Sequence, residues 1–308
     1  RASSPSREYL MPSVERSTHV FIRGQGSWLW DSDDRAYLDF TQGAGANSLG
    51  HSPTVLVKAL AAQAQALINP GSGMLNRSQL NLAERLCTST GSDQVLLLNT
   101  GSEAYDAAMR LARKWGQRHR GGASRIITAS GSHHEHDRSA SDCVPFNDLP
   151  ALHAAVDAQT VAIMLELNQT AAGVVPATEL YLKGVERLCR ELGILLILDE
   201  VQTGVGRCAS VLAEQSYGVR ADIVVLGEGL GGGVPLAALL ARGNACCFEP
   251  GDLDGTHHGN GLMAAAGVAV LDSVLDNGFV DHLRDSAQHL REGLSRLANR
   301  YGHGQLHG

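Results

Sequence analysis

Residues 194–204 read ILLILDEVQTG, and this stretch decides the fold. Its first five residues are apolar and follow Gly193. A run of this length and composition is typical of a strand that is buried on both faces. The run therefore predicts a central strand of a parallel sheet. Ligands bind such sheets in the crevice at the carboxyl ends of the strands, which is where Asp199 and Glu200 stand.

Strand-like and helix-like segments alternate on both sides of this run. Strands are predicted at 94–98, 125–128, 160–165, 221–226 and 236–240, and helices at 53–67, 78–86, 102–115, 148–156, 179–191, 259–275 and 280–301. Residues 20–40 read as short extended pieces joined by turns. Such alternation indicates the α/β fold class, with a mostly parallel sheet covered by helices on both faces.

The composition excludes several classes of function. A net charge of −7 without a basic stripe argues against a nucleic-acid binder. No apolar run has the length of a membrane span, and the first residues lack the pattern of a signal peptide. The six cysteines form no CxxC pair, so reduced thiols in a cytoplasmic protein are expected.

The segment NTGSEA at 99–104 is a strand-to-helix turn that could hold a phosphate group. Gly101 lets the backbone approach a ligand closely, and Ser102 offers a hydroxyl group. The start of the helix adds free N–H groups and the positive end of a dipole. On local sequence alone, an ordinary helix cap explains this turn equally well.

Two further strand ends carry acidic groups. Asp199 could pair with a ring nitrogen of a cofactor and keep it protonated, or it could simply cap a turn. Glu228 stands in the glycine-rich loop GEGLGGG at 227–233, directly after a predicted strand. We expect this loop to face the same crevice.

These three segments together resemble the class III aminotransferases, most closely the acetylornithine and ornithine group, which use pyridoxal phosphate (PLP). The similarity extends from about Val20 to the last residues. It also includes these motifs: FIRG at 21–24, WLWD at 28–31, NSLGH at 47–51, VPFNDL at 144–149 and FEPGD at 248–252. The resemblance implies a large domain of the fold type I found in PLP-dependent transferases.

The resemblance also implies a division of the chain. Residues 1–50 would be the N-terminal segment of a small domain, and residues 51–275 the large cofactor-binding domain. Residues 276–308 would begin a C-terminal domain that is largely absent. Because members of this group are dimers with shared sites, a cytoplasmic homodimer is expected. The homodimer would bind a small amino-acid substrate or no substrate, and it would bind neither nucleic acid nor a membrane.

The resemblance assigns roles to individual residues. Gly101 and Ser102 would bind the cofactor phosphate, and Asp199 would face the pyridine nitrogen. Gln202 would lie near the ring hydroxyl, and Thr256 would reach the phosphate in the neighbouring subunit. The same resemblance matches Glu166 and Gln169 to the strand after which the family has a proline- and glycine-rich turn, and His133 to its stacking aromatic residue.

The central departure from the family is Glu228, which stands where the family has the lysine that forms a Schiff base with PLP. A carboxylate cannot form that bond, and it lacks the proton-shuttling amine of lysine. The chain has three lysines, Lys58, Lys114 and Lys183, all in predicted helices or at a helix start. None stands near the carboxyl end of a strand.

Other departures fall at the same predicted site. The family's Phe-His-Gly-Arg is HHEH at 133–136, so that His136 replaces the arginine that would hold a substrate carboxylate. The glycine-rich turn is TAAG at 170–173, the tyrosine-bearing loop is GMLN at 73–76, and Tyr105 replaces an asparagine. The region 139–144 is shorter than in the family by about one long loop.

Three hypotheses follow. The first is a degenerate homologue, without ordinary transaminase activity, that binds PLP or pyridoxamine phosphate or serves as a non-catalytic subunit. The second is a repurposed enzyme, in which pyridoxamine phosphate needs no lysine and Glu228 or a histidine acts as the general base. A variant of this hypothesis is a metal site, for which the candidate ligands are His133, His134, His136, His257 and His258. The simpler interpretation of these residues is a solvated loop. The third is an acetylornithine-type aminotransferase inactivated by mutation.

Overall fold

A computed structural model describes residues 9–133 and 142–302. The N-terminal part forms a three-stranded antiparallel sheet of β1 (Phe21–Gln25), β2 (Trp28–Asp31) and β3 (Ala36–Leu38). The strands of the main sheet and of one short hairpin are β4 (Gln94–Leu98), β5 (Arg125–Ala129), β6 (Asp142–Val144), β7 (Thr160–Glu166), β8 (Asn168–Gln169), β9 (Val175–Pro176), β10 (Leu195–Asp199), β11 (Ile223–Leu226) and β12 (Ala237–Ala241). Strands β8 and β9 pair with each other as the hairpin.

The main sheet has seven strands in the order β4-β12-β11-β10-β7-β5-β6. Strands β11, β10, β7, β5 and β6 pair in parallel, whereas β12 runs antiparallel to both of its neighbours. The prediction of a mostly parallel α/β sheet is therefore confirmed. The direction of β12 could not be predicted, because an apolar strand has the same pattern in either direction.

The helices are α1 (Thr54–Ala66), α2 (Arg77–Thr90), α3 (Gly101–His119), α4 (Leu149–Ala155), α5 (Glu179–Leu192), α6 (Glu214–Tyr217), α7 (Gly261–Val274) and α8 (Asn277–Tyr301). Side-chain caps fix several of their starts: Asn76 accepts a hydrogen bond from the N–H of Gln79, and Asn260 from that of Met263. Every helix predicted from the sequence is present, with bounds that differ by a few residues. The pattern missed α6, β6 and the β8–β9 hairpin, which are too short to show a period.

The core lies on both faces of the sheet, and β10 shows how the sequence divides it. Leu196 and Leu198 pack into the cluster that includes side chains of α2, α5 and α7, while Leu195 and Ile197 pack into the cluster formed with α3. Successive side chains of a strand point to opposite faces, so an apolar run serves both clusters. No single described helix has the length and apolar character needed to span a bilayer. Only α7 and α8 taken together meet that criterion, across a 70° bend.

Candidate functional site

A cavity of about 880 Å³ opens at the carboxyl ends of β4, β7, β10 and β11. This is the edge at which parallel α/β sheets bind ligands. Its walls consist of Ala44, Thr100, Gly101, Ser102, Tyr105, Asp106, His133, Glu166, Asn168, Thr170, Asp199, Val201, Gln202, Thr203 and Glu228. The three strand ends singled out from the sequence thus meet in one cavity.

At one end of the cavity, helix α3 begins with a capping box. The Thr100 hydroxyl accepts a hydrogen bond from the Glu103 N–H at 3.2 Å, and the Glu103 carboxylate accepts from the N–H groups of Asn99 and Thr100. Burial opposes ionisation of Glu103, but these N–H groups outweigh it and lower the pKa of its carboxyl group. Within the described residues, the box leaves the N–H groups of Gly101 and Ser102 without an acceptor. They are available to an anion in the cavity, and the helix dipole favours one there.

Glycine is required where α3 meets the loops after β10 and β11. A Cβ atom at Gly101 would lie 3.0 Å from Cγ1 of Val201, and one at Gly227 would lie 3.1 Å from the same atom. Val201 therefore packs between the two glycines. The start of α3 and the turn that carries Glu228 are held at a fixed spacing by this contact.

The neighbours Asp199 and Glu200 face opposite sides of the sheet. Asp199 continues the alternation on the α3 side and lines the cavity, and its carboxylate accepts the N–H of Val201 at 2.8 Å. Glu200 is fully buried on the other side, where it accepts the N–H of Glu214 at 2.8 Å. Burial raises the pKa of Glu200 to about 8, although hydrogen bonds from backbone N–H groups act in the opposite direction. Of these two neighbouring carboxylates, only that of Asp199 therefore belongs to a residue that lines the cavity.

A buried ion pair lies beside Glu200. The guanidinium group of Arg242 contacts the carboxylate of Glu214 at 2.7 Å, with 7% and 4% of the two side chains exposed. Arg242 also donates to the carbonyl oxygens of Ala221 and Thr90. These acidic groups have partners within the protein, so they serve the fold.

The end of β7 contributes a second wall of the cavity. The buried carboxylate of Glu166 accepts the backbone N–H of His133 at 2.8 Å, and the His133 ring lies 3.4 Å from the hydroxyl of Thr170. Gln169 is buried away from the cavity and donates to the carbonyl of Ser130. Glu166 and His133 thus lie in the cavity, whereas Gln169 positions the loop behind it.

Glu228 begins a single 3₁₀ turn, Glu228–Gly231, immediately after β11. Its φ of +33° falls in the left-handed region, which costs a residue with a side chain free energy of order 1–3 kcal/mol. The turn is held from outside because the Ser48 hydroxyl donates to the Gly229 carbonyl at 3.1 Å. Such strain is typical of functional sites, and Glu228 is one of the residues that line the cavity.

None of the three lysines lines the cavity. Lys58 lies within α1, Lys114 pairs with Glu249 and Asp252, and Lys183 pairs with Glu179 one turn away on α5. Their helical positions agree with the sequence prediction. No lysine of this chain is therefore placed to supply an amine group to the cavity.

The described residues around the cavity suit part of the PLP that the family resemblance implies, but they include no lysine for a covalent bond. The free N–H groups of Gly101 and Ser102 suit a phosphate group, and Asp199 suits a protonated ring nitrogen. Among the described residues, the walls carry the carboxylates of Asp106, Glu166, Asp199 and Glu228 but no lysine or arginine. The fit is therefore to a phosphorylated ligand held without a covalent bond.

Some predicted residues lie outside the cavity. Thr256 is exposed, and its carbonyl accepts the side-chain amide of Asn69. His257 and His258 do not line the cavity either. His134 and His136 are outside the described residues, and residues 9–133 and 142–302 contain no group of three or more potential metal ligands. The metal site therefore stays a prediction.

Three lining residues lie outside the segments singled out from the sequence, namely Ala44, Asp106 and Asn168. For Asp106 a signal existed, because it lies four residues after Ser102 and so on the same face of α3. Asn168 lies in a two-residue strand, and Ala44 in a loop from a distant part of the sequence. Neither position carries a periodic pattern.

Comparisons with known proteins agree with this fold and site. The family model for class-III aminotransferases matches residues 10–143 and 134–308. The chain is 43% identical to acetylornithine aminotransferase 2 of Bordetella bronchiseptica, over 95% of this chain and 79% of that protein. It is 38% identical to the acetylornithine aminotransferase of Caldanaerobacter subterraneus, over 96% of this chain and 80% of that protein.

Solved structures show the same similarity. The acetylornithine aminotransferase from Elizabethkingia anophelis superimposes with a TM-score of 0.88 at 30% identity, over 95% of this chain and 77% of that one. The N-acetylornithine aminotransferase from Stenotrophomonas maltophilia gives 0.85 at 33% identity, over 93% of this chain and 77% of that one.

Proposed function

The chain belongs to the class-III aminotransferase family, and on that premise we propose that it binds a phosphorylated vitamin B6 cofactor without a covalent bond and does not carry out ordinary transamination. One observation carries the proposal. Glu228 occupies the turn after β11, and none of the three lysines lines the cavity.

The binding part of the proposal rests on two walls of the cavity. The N–H groups of Gly101 and Ser102 would hold the phosphate group, helped by the dipole of α3. The Asp199 carboxylate, oriented by the Val201 N–H, would hold a proton at the ring nitrogen. Gln202 also lines the cavity, and the family resemblance implies that it would lie near the ring hydroxyl.

The loss of transamination follows from the chemistry of position 228. When bound, the cofactor supplies an electron sink for carbon–hydrogen bond cleavage, but in this family a lysine anchors it and moves the proton. Glu228 can hold a proton but cannot form the covalent link. Loss of a group with this double role lowers a rate by several orders of magnitude.

We also propose that the protein acts as a homodimer. The loop 67–75 exposes the apolar side chains of Ile68, Met74 and Leu75, which are 53%, 63% and 75% exposed. This loop is joined to the segment of Thr256 by the hydrogen bond from Asn69. A second copy that covers the loop would place Thr256 against the partner's cavity, as the family resemblance implies. Light scattering after size exclusion tests this proposal, and a monomer at micromolar concentration would contradict it.

Equilibrium dialysis tests the binding proposal. The purified protein is dialysed against PLP, pyridoxamine phosphate and unphosphorylated pyridoxamine in turn, with metal analysis of the same sample. We expect the phosphorylated compounds to bind and pyridoxamine to bind at least tenfold more weakly, because the α3 end recognises phosphate. Absence of binding, or binding that ignores the phosphate, would overturn the proposal. A stoichiometric metal would favour a metal site at the histidines of 133–136.

A further inference from the structure

The Glu228 carboxylate is positioned by its backbone but is not engaged by the protein. The turn is fixed on one side by the contact of Gly227 with Val201, and on the other by the hydrogen bond from Ser48. Yet within the described residues the Glu228 carboxylate makes no ion pair and no hydrogen bond. A charged group held on a strained backbone, at the wall of a cavity and without a protein partner, is suited to a ligand of opposite charge.

Two parts of the cavity wall favour opposite charges. The start of α3 offers N–H groups and the positive end of a dipole, so it favours an anion. Glu228 favours a cation, because no described lysine or arginine lines this cavity. Arg207 lines a smaller adjoining pocket with Glu228, but its guanidinium group donates to the Gly45 carbonyl and forms no ion pair with Glu228. A ligand that carries both an anionic group and a cationic group can pair with the start of α3 and with Glu228.

We propose that Glu228 makes this cavity selective for the amine form of the cofactor, pyridoxamine phosphate, over forms that are uncharged at the same position. This inference rests on the proposed function, since it assumes that the phosphate group lies at Gly101 and Ser102. In the orientation that the family resemblance implies, the substituent to which the family's lysine bonds would lie beside position 228. In pyridoxamine phosphate this substituent is an ammonium group, which the carboxylate binds. In PLP it is a neutral aldehyde, which gains nothing from Glu228.

The test compares pyridoxamine 5′-phosphate with pyridoxine 5′-phosphate, by calorimetric titration of the complete chain. The second compound has a hydroxymethyl group of almost the same shape in place of the aminomethyl group, and it does not react with surface amines. We expect the amine to bind at least tenfold more tightly, which is the scale of one charge-assisted hydrogen bond. In Glu228→Gln, which keeps the shape and removes the charge, the ratio should fall to within about twofold.

Glu191→Gln is the matched control, because it removes a carboxylate from the exposed end of α5 and should leave the ratio unchanged. If the wild-type protein binds both compounds equally, the selectivity is wrong while the proposed function stands. If the ratio survives in Glu228→Gln, another group provides the selectivity and the role of Glu228 is wrong. If neither compound binds, the proposed function and this inference both fail. The wild-type comparison needs no variant, so a variant that fails to fold does not remove the test.

Discussion

Two sets of acidic side chains follow neighbouring strands of the same sheet, and the protein treats them in opposite ways. Glu200 and Glu214 are buried beneath the sheet, where backbone N–H groups and Arg242 satisfy them. Glu228 stands at the cavity edge, in a strained turn, with no ion pair or hydrogen bond among the described residues. Glu200 and Glu214 stabilise the fold whatever the function of the site is, whereas Glu228 is available to a ligand. The fold can therefore be retained while the residue at the edge of the cavity changes.

The largest expected effect tests the interior set. Arg242→Met should lower the free energy of unfolding by about 3–5 kcal/mol, because it leaves the buried carboxylate of Glu214 without its partner. Arg190→Met is the matched control: it breaks an ion pair with Glu186 in which Arg190 is 72% exposed, and should cost at most about 1 kcal/mol. Denaturant unfolding measures both. Equal losses in the two variants would mean that the interior pair does not stabilise the fold in the way described.

The pH dependence of stability tests how burial affects Glu200. Burial raises the pKa of Glu200 to about 8 from an ordinary 4.5. Between these values the folded protein keeps a proton that the unfolded chain has lost, so the free energy of unfolding should fall as pH rises. Glu200→Gln should reduce this slope. Some slope should remain, because burial also raises the pKa of Asp222.

Urea unfolding at several values between about pH 5 and 8 gives the comparison. A slope that is the same in Glu200→Gln as in the wild type would show that Glu200 is ionised throughout this range.

A smaller effect is expected at the phosphate end of the cavity. Gly101→Ala places a Cβ atom 3.0 Å from Val201 and displaces the first turn of α3 by a few tenths of an ångström. We expect affinity for pyridoxamine phosphate to fall about tenfold, because the N–H groups no longer converge on the phosphate. Gly293→Ala, on exposed α8 with nothing nearer than the Arg296 side chain at 3.9 Å, should leave affinity unchanged. An unchanged affinity in Gly101→Ala would place the phosphate elsewhere.

The smallest effect concerns the helix caps. Thr100→Ala and Thr178→Ala each remove a side-chain cap, of α3 and α5, and should each cost about 1 kcal/mol of stability. Only Thr100→Ala should also weaken binding of pyridoxamine phosphate, because its helix start forms the cavity wall. Equal binding in the two variants would show that the order of the α3 turn does not matter to the ligand.

Much of this arrangement could be predicted from the sequence, because parallel sheets have a strong signature. The apolar run at 194–198 and the alternating pattern around it predicted the sheet, and they brought Gly101, Asp199 and Glu228 to one edge. The sequence did not show which face of the sheet Glu200 takes, since the face of a residue after a strand depends on where the strand ends. It also missed Asn168, because its position depends on a hairpin too short to leave a pattern.

The most direct test of the account is whether PLP becomes attached to the protein. The wild type and Glu228→Lys are incubated with PLP, reduced with borohydride, digested and analysed by mass spectrometry. We predict a stoichiometric adduct at position 228 in Glu228→Lys and none at any single lysine of the wild type. A stoichiometric adduct at Lys58, Lys114 or Lys183 of the wild type would contradict the account, because the cavity would then have an amine that its described walls lack.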